Sequence, residues 1–120
     1  MKKYRTVIRY KEYFDDFLRA QRPKVVEKII QTLRMIEVLE RIPATYLKHI
    51  EGSDGLFEIR VQFASDIFRV FCFFDDGKLV VLLSGFQKKT QKTPQAEIKR
   101  AESLMTEYYE EKRKETQHGH

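Results

Sequence analysis

Apolar and polar positions alternate loosely over residues 4–10, where Val7 and Ile8 lie between Arg5 and Arg9, and this predicts a short opening strand. The period then lengthens. Over residues 11–21, Phe14, Phe17 and Leu18 fall with Tyr10 at helical spacing, opposite Asp15, Asp16 and Arg19. Pro23 breaks or restarts the helix, since a proline fits a first turn, where its missing N–H removes no intrahelical bond. From there to about residue 41, Val26, Ile29, Ile30, Leu33, Ile36 and Leu39 form one stripe, and Pro43 marks its end.

Residues 44–55 are irregular and finish in the turn chemistry of Gly52-Ser53-Asp54-Gly55. The period then drops to two. Phe57, Ile59, Val61 and Phe63 share one face of a strand, with Glu58, Arg60 and Gln62 on the other. After a turn at Ala64-Ser65-Asp66, residues 67–74 are apolar except for Arg69. Asp75-Asp76-Gly77 signals a hairpin, because Asp and Gly tolerate the positive φ of a tight turn. Residues 78–86 form a further, nearly all-apolar strand of the kind found at the centre of a sheet.

Thr93 and Pro94 read as the cap and first residue of a last helix, whose stripe is Ile98, Ala101, Leu104, Met105 and Tyr108. The pattern stops near Lys112, so residues 1–112 are read as one domain and 113–120 as a disordered tail. The order strand, two helices, three meandering strands, helix predicts an α+β fold: an antiparallel sheet with an N-terminal helical hairpin on one face, and a C-terminal helix. All helices are expected on that one face.

Composition narrows the classes. A length of 120 residues suits one core, and nine Phe with six Tyr supply apolar bulk that a disordered chain lacks. Cys72 is the lone cysteine, so no internal disulfide and no multi-cysteine zinc site can form. It reads as a small buried hydrophobe. No apolar run approaches a membrane span of about 20 residues, and a cytoplasmic location is the default expectation. There are 23 Lys+Arg against 18 Asp+Glu, a formal charge of +5 that favours a polyanionic partner weakly.

The placement of charge says more. Between Gly77 and Ala96 there are four lysines and no acid, in a stretch leading to a helix N-terminus. It is either a solvated loop or an anion site. Arg60 lies on the polar face of its strand, open to solvent or turned to a ligand. Arg69 sits among Ile67, Phe68, Val70 and Phe71, where a guanidinium needs a partner. A salt bridge to Glu58 or Asp66 would supply one; together the two arginines could also clamp a phosphate. Lys48-His49 precedes the Gly52 turn, and His49 is the one histidine outside the terminal tail. It is a surface residue or a proton-transfer group. No metal or cofactor motif is present.

Three segments match a known pattern: Gly55-Leu56-Phe57-Glu58-Ile59-Arg60, Phe68-Arg69-Val70-Phe71, and Leu82-Leu83-Ser84-Gly85-Phe86-Gln87-Lys88-Lys89-Thr90-Gln91-Lys92-Thr93-Pro94. In order and spacing the chain resembles the RelE-like toxins of bacterial toxin–antitoxin modules, in particular the HigB-type branch with phage-derived relatives. The resemblance implies a metal-independent endoribonuclease without cofactors that cuts mRNA, commonly on the ribosome, by attack of the 2′-OH on the adjacent phosphate. By that resemblance Arg60 and Arg69 would hold the scissile phosphate, and Lys88 and Lys89 would add charge or move a proton. Phe86 would stack on a base, Lys48 or His49 would act as general base or bind the RNA backbone, and Lys92 would contact RNA. A tyrosine or histidine near the C-terminus serves proton transfer in some relatives, but Tyr108 and Tyr109 read here as helix positions and inherit no such role. An antitoxin carrying a helix-turn-helix domain is the implied partner. The related ParE group keeps the fold and poisons gyrase through protein contacts. A binding module without turnover is the third alternative.

Overall fold

The computed structural model describes residues 2–118. Its elements are β1 (Thr6–Arg9), α1 (Tyr13–Arg19), α2 (Pro23–Val38), β2 (Leu47–His49), β3 (Leu56–Phe63), β4 (Asp66–Asp75), β5 (Leu79–Lys88) and α3 (Gln95–His118). The fold class is α+β. One sheet of five strands runs in the order β1-β5-β4-β3-β2.

The sheet is mixed rather than wholly antiparallel. β3, β4 and β5 form the expected meander, but β1 adds to β5 in parallel, with Thr6 opposite Leu79 and Arg9 opposite Leu82. A parallel pair needs a long crossover, and here the rest of the sheet with α1 and α2 supplies it. β2 was not anticipated. It is three residues long, with Lys48 and His49 exposed, and so carries no alternation to read. It pairs antiparallel with the start of β3.

Helices cover both faces of the sheet, not one. On the first, Phe14, Val25, Ile29 and Ile36 of α1 and α2 pack on Ile59, Val61, Phe68, Val70, Cys72, Val80 and Leu82. On the second, Ala101 and Leu104 of α3 pack with Tyr10 on Leu56, Phe71, Phe73, Val81 and Leu83. Consecutive residues Val80 to Leu83 are all buried, because β5 faces a helix layer on either side. Cys72 is buried, and that burial pushes its thiol pKa up.

The stripe of α2 is rotated from the sequence reading: Val25, Ile29, Thr32 and Ile36 are buried, whereas Ile30 and Leu39 are exposed. The helix also stops early. The Arg5 side chain donates to the carbonyl of Ile36 (3.2 Å) and the Tyr4 backbone N–H to that of Glu37 (2.7 Å), occupying acceptors that a further turn would have used, and Arg5 also holds the carbonyls of Leu39 (2.6 Å) and Glu40 (2.7 Å). At the β4–β5 hairpin, Asp76 and Gly77 take positive φ of 59° and 76°, as its sequence required.

α3 runs past Lys112 to His118, where the sequence pattern predicts a disordered tail; Gly119 and His120 lie outside the described residues. Two polar clusters fasten it. Asp75 accepts from the Tyr108 hydroxyl (2.6 Å) and the Lys112 ammonium (2.8 and 3.0 Å). Beside it, Tyr10, edge-on to Tyr108 with ring centroids 5.5 Å apart, donates to Glu107 (2.9 Å), and Lys11 pairs with Glu107 and Glu111. Among the described residues, no helix is long and apolar enough to cross a membrane.

Candidate phosphate site on the α3 face of the sheet

Residues that alternate along a strand share a face, so Glu58 and Arg60 of β3 lie on the face covered elsewhere by α3, together with Leu56. The hairpin register sets Arg69 of β4 directly opposite Arg60. On the far side of β4, Phe86 of β5 is opposite Arg69 and Lys88 is opposite Ile67. β2 adds Lys48, which is opposite Glu58. Four strands thus bring Lys48, Glu58, Arg60, Arg69, Phe86 and Lys88 to one patch. α3 begins only at Gln95 and packs toward the other end of these strands, so the patch is not roofed by its apolar stripe.

Arg69 is the innermost cation, only 5% exposed. It donates to the carbonyl of Phe68 (3.1 Å), but its Nε–H has no hydrogen-bond partner. Its Nε lies 3.7 Å from Glu58 Oε1, and the Arg60 Nε lies 3.8 Å from the same oxygen. Both separations are too long for hydrogen bonds, so the glutamate neutralises charge without closing either fork. Of the two acids that the sequence offers Arg69 as partners, Glu58 is the one beside it; Asp66 pairs with Arg22 at 2.9 Å. Burial pulls the Arg69 pKa down, Glu58 opposes that pull, and Arg60 adds to it.

The polar run from Ser84 onward predicts Lys88 in the loop after the strand. It is a strand residue, because β5 continues two positions beyond Phe86. Its pKa lies below the ordinary lysine value, first through desolvation and then through Arg69, Arg60 and Lys48, with Glu58 acting against them. That combination is what a lysine requires in order to act as a base. Phe86 stacks on Phe71 with ring centroids 5.6 Å apart, so one ring face is already occupied.

Other expected residues are not gathered there. His49 is opposite Phe57 in the register and packs edge-on against its ring at 5.2 Å, on the face that belongs to α1 and α2. Lys89 and Lys92 are exposed and lie beyond β5, at the margin of the patch. Thr93 does not cap α3. Its hydroxyl donates to Glu58 Oε2 at 3.2 Å, which ties the segment before α3 to the two arginines. Sequence reasoning missed Glu58 as part of the site, although it occurs two residues before Arg60 and therefore on the same face.

A cleft of about 400 Å³ opens beside the patch, where β2 ends and leaves the edge of β3 uncovered. Lys28, Arg60 and Arg69 line it with Thr32, Thr45 and Tyr46, and no acid is among its lining residues. A larger hollow of about 810 Å³ lies at the other end of β4, between Phe73, Met105 and Tyr109, and holds none of the expected site residues. Tyr108 and Tyr109 belong to that end.

A family model described as Phage derived protein Gp49-like (DUF891) matches residues 16–106. The chain belongs to the phage-derived Gp49-like family. This family is one of toxin–antitoxin toxins, and membership implies an antitoxin partner. The Gp49-like match takes in every residue of the patch, from Lys48 to Lys88, and Thr93 with them. No curated protein matches the chain significantly.

Proposed function

We propose that this Gp49-like toxin is an endoribonuclease of the RelE/HigB type that cleaves mRNA, on the ribosome, by attack of a 2′-OH on the neighbouring phosphate. The observation that carries the reading is the unpaired Nε–H of buried Arg69, opposite Arg60, at a cleft lined by cations and no acid. A buried guanidinium with a free donor is costly unless an anion completes it.

In this reading Arg60 and Arg69 bind the non-bridging oxygens of the scissile phosphate and stabilise the charge that grows on them in the transition state. Lys88, with its lowered pKa, takes the proton of the attacking 2′-OH. The new bond joins O2′ to phosphorus as the P–O5′ bond breaks, and the leaving 5′-oxygen takes a proton from solvent, giving a 2′,3′-cyclic phosphate and a 5′-hydroxyl end. Lys48 holds the adjoining backbone. Lys89 and Lys92 add long-range attraction, and the open face of Phe86 accepts a base. His49, facing the other way, has no part. The antitoxin, with a helix-turn-helix domain in this branch, would cover the patch.

The test is induced expression of wild type and of Arg69→Ala and Lys88→Ala proteins in bacteria, with transcript ends mapped. Wild type arrests growth and leaves 5′-hydroxyl ends within translated messages, while each variant loses about 10²–10³-fold in cleavage, the range for removing a transition-state donor. A thermal melt of each variant separates lost chemistry from lost fold. Growth arrest with intact messages would favour gyrase or another protein target and overturn the nuclease.

A further inference from the structure

A carboxylate at a phosphate site needs a reason, since it repels the ligand. Glu58 is 8% exposed and lies at the centre of the cations: Lys48 directly across on β2, Arg60 on its own strand, Arg69 diagonally across on β4, and Lys88 beyond it on β5. Arg60 and Arg69 are directly opposed, and like charges so placed repel. Glu58 Oε1 is nearly equidistant from their two Nε atoms, at 3.8 and 3.7 Å, while Oε2 accepts from Thr93. A purely structural ion pair would close a bidentate fork with one arginine. Here neither fork is closed, and the Arg69 Nε–H stays available.

We infer that Glu58 is a positioning residue: its shared carboxylate holds Arg60 and Arg69 side by side with their donors open, and through Thr93 it joins the lysine segment to them. This rests on the phosphate-cleaving reading above. Two consequences follow from its charge. Glu58 weakens ground-state binding of RNA, and it raises the pKa of Lys88 against the lowering by desolvation, Arg69, Arg60 and Lys48. The carboxylate therefore trades affinity for alignment at the moment of reaction.

The full-length protein carrying Glu58→Gln, Glu58→Asp or Thr93→Val tests this. Three quantities are read: kcat and KM on an RNA oligonucleotide, binding of its non-cleavable 2′-O-methyl analogue, and the NMR titration of the Lys88 side chain. Glu58→Gln should bind the analogue several-fold tighter, lose about a hundredfold in kcat, as small misplacements do, and move the Lys88 midpoint to lower pH. Glu58→Asp keeps the charge, so the Lys88 midpoint and KM stay while kcat falls. Thr93→Val lowers kcat without tightening binding. Weaker analogue binding by folded Glu58→Gln, or an unmoved Lys88 midpoint, would overturn the inference. If wild type cuts no RNA, the nuclease reading fails, yet the Lys88 titration and the binding of the analogue still decide the role of Glu58.

Discussion

Lys88 combines two properties that can be separated by one substitution. It brings positive charge to the patch, and its lowered pKa lets it surrender a proton. Arginine keeps the charge and stays protonated at any working pH. Lys88→Arg should therefore retain binding to the 2′-O-methyl analogue within a few-fold and lose cleavage almost as fully as Lys88→Ala. Cleavage by Lys88→Arg at the wild-type rate would reduce Lys88 to a counter-charge. In the wild type, a group needed in its neutral form makes kcat rise with pH through the Lys88 pKa and level off above it. The midpoint of that rise should lie below the ordinary lysine value of 10.5. The arginines were legible as single residues. Their opposition was not, because it depends on the register that the short turn at Ala64-Ser65 imposes. Glu58 reads from sequence as an ordinary polar-face residue, since its link to Thr93 spans 35 positions.

Gly85 governs how closely α1 approaches β5. A Cβ placed on it would lie 2.5–2.8 Å from ring atoms of Phe17, well inside van der Waals contact. Gly85→Ala must displace that ring, which is wedged among Phe14 and Phe68. Overpacking of this kind costs about 1–3 kcal/mol, readable as a lower Tm. At the other layer, the hydrogen bonds from Tyr108 and Lys112 hold the Asp75 carboxyl below its ordinary value of 3.8. A carboxylate with a depressed pKa lends stability above its unfolded pKa and loses it as pH falls through the folded one. Asp75→Asn should thus cost stability at neutral pH and flatten the acid limb of the denaturation curve. Tyr108→Phe removes a 2.6 Å bond to a buried acceptor, for about 1–3 kcal/mol. Helix stripes were visible in the sequence, but a stripe does not say which face of a sheet it meets. The unbroken apolar run through β5 was the available sign that both faces are covered. The three residues of β2 gave no comparable sign.

At the scale of the whole molecule, a formal charge of +5 says little, since 23 Lys+Arg and 18 Asp+Glu are spread along the whole chain. What matters is that Lys48, Arg60, Arg69 and Lys88 come from four different strands to one place. If each neutralises one phosphate of a single strand, binding should fall with salt at a log–log slope of about −3. Lys88→Ala should reduce that slope by roughly 0.7. An unchanged slope would put the RNA elsewhere, on Lys89, Lys92 or the helices.

The parallel pairing of β1 with β5 bears on how such a chain is made. The first strand waits for a partner more than 70 positions later, at Leu79–Leu82. Until that stretch has been synthesised, Thr6–Arg9 has no ladder to join, and Phe14 and Ile29 lack Val80 and Leu82 to pack against. Long-range pairings of this kind delay folding. Lys88 arrives after all of them, on the same strand that completes the sheet. A partial chain therefore holds the arginines without the lysine, and the protein acquires its full cationic site only once β5 has been made.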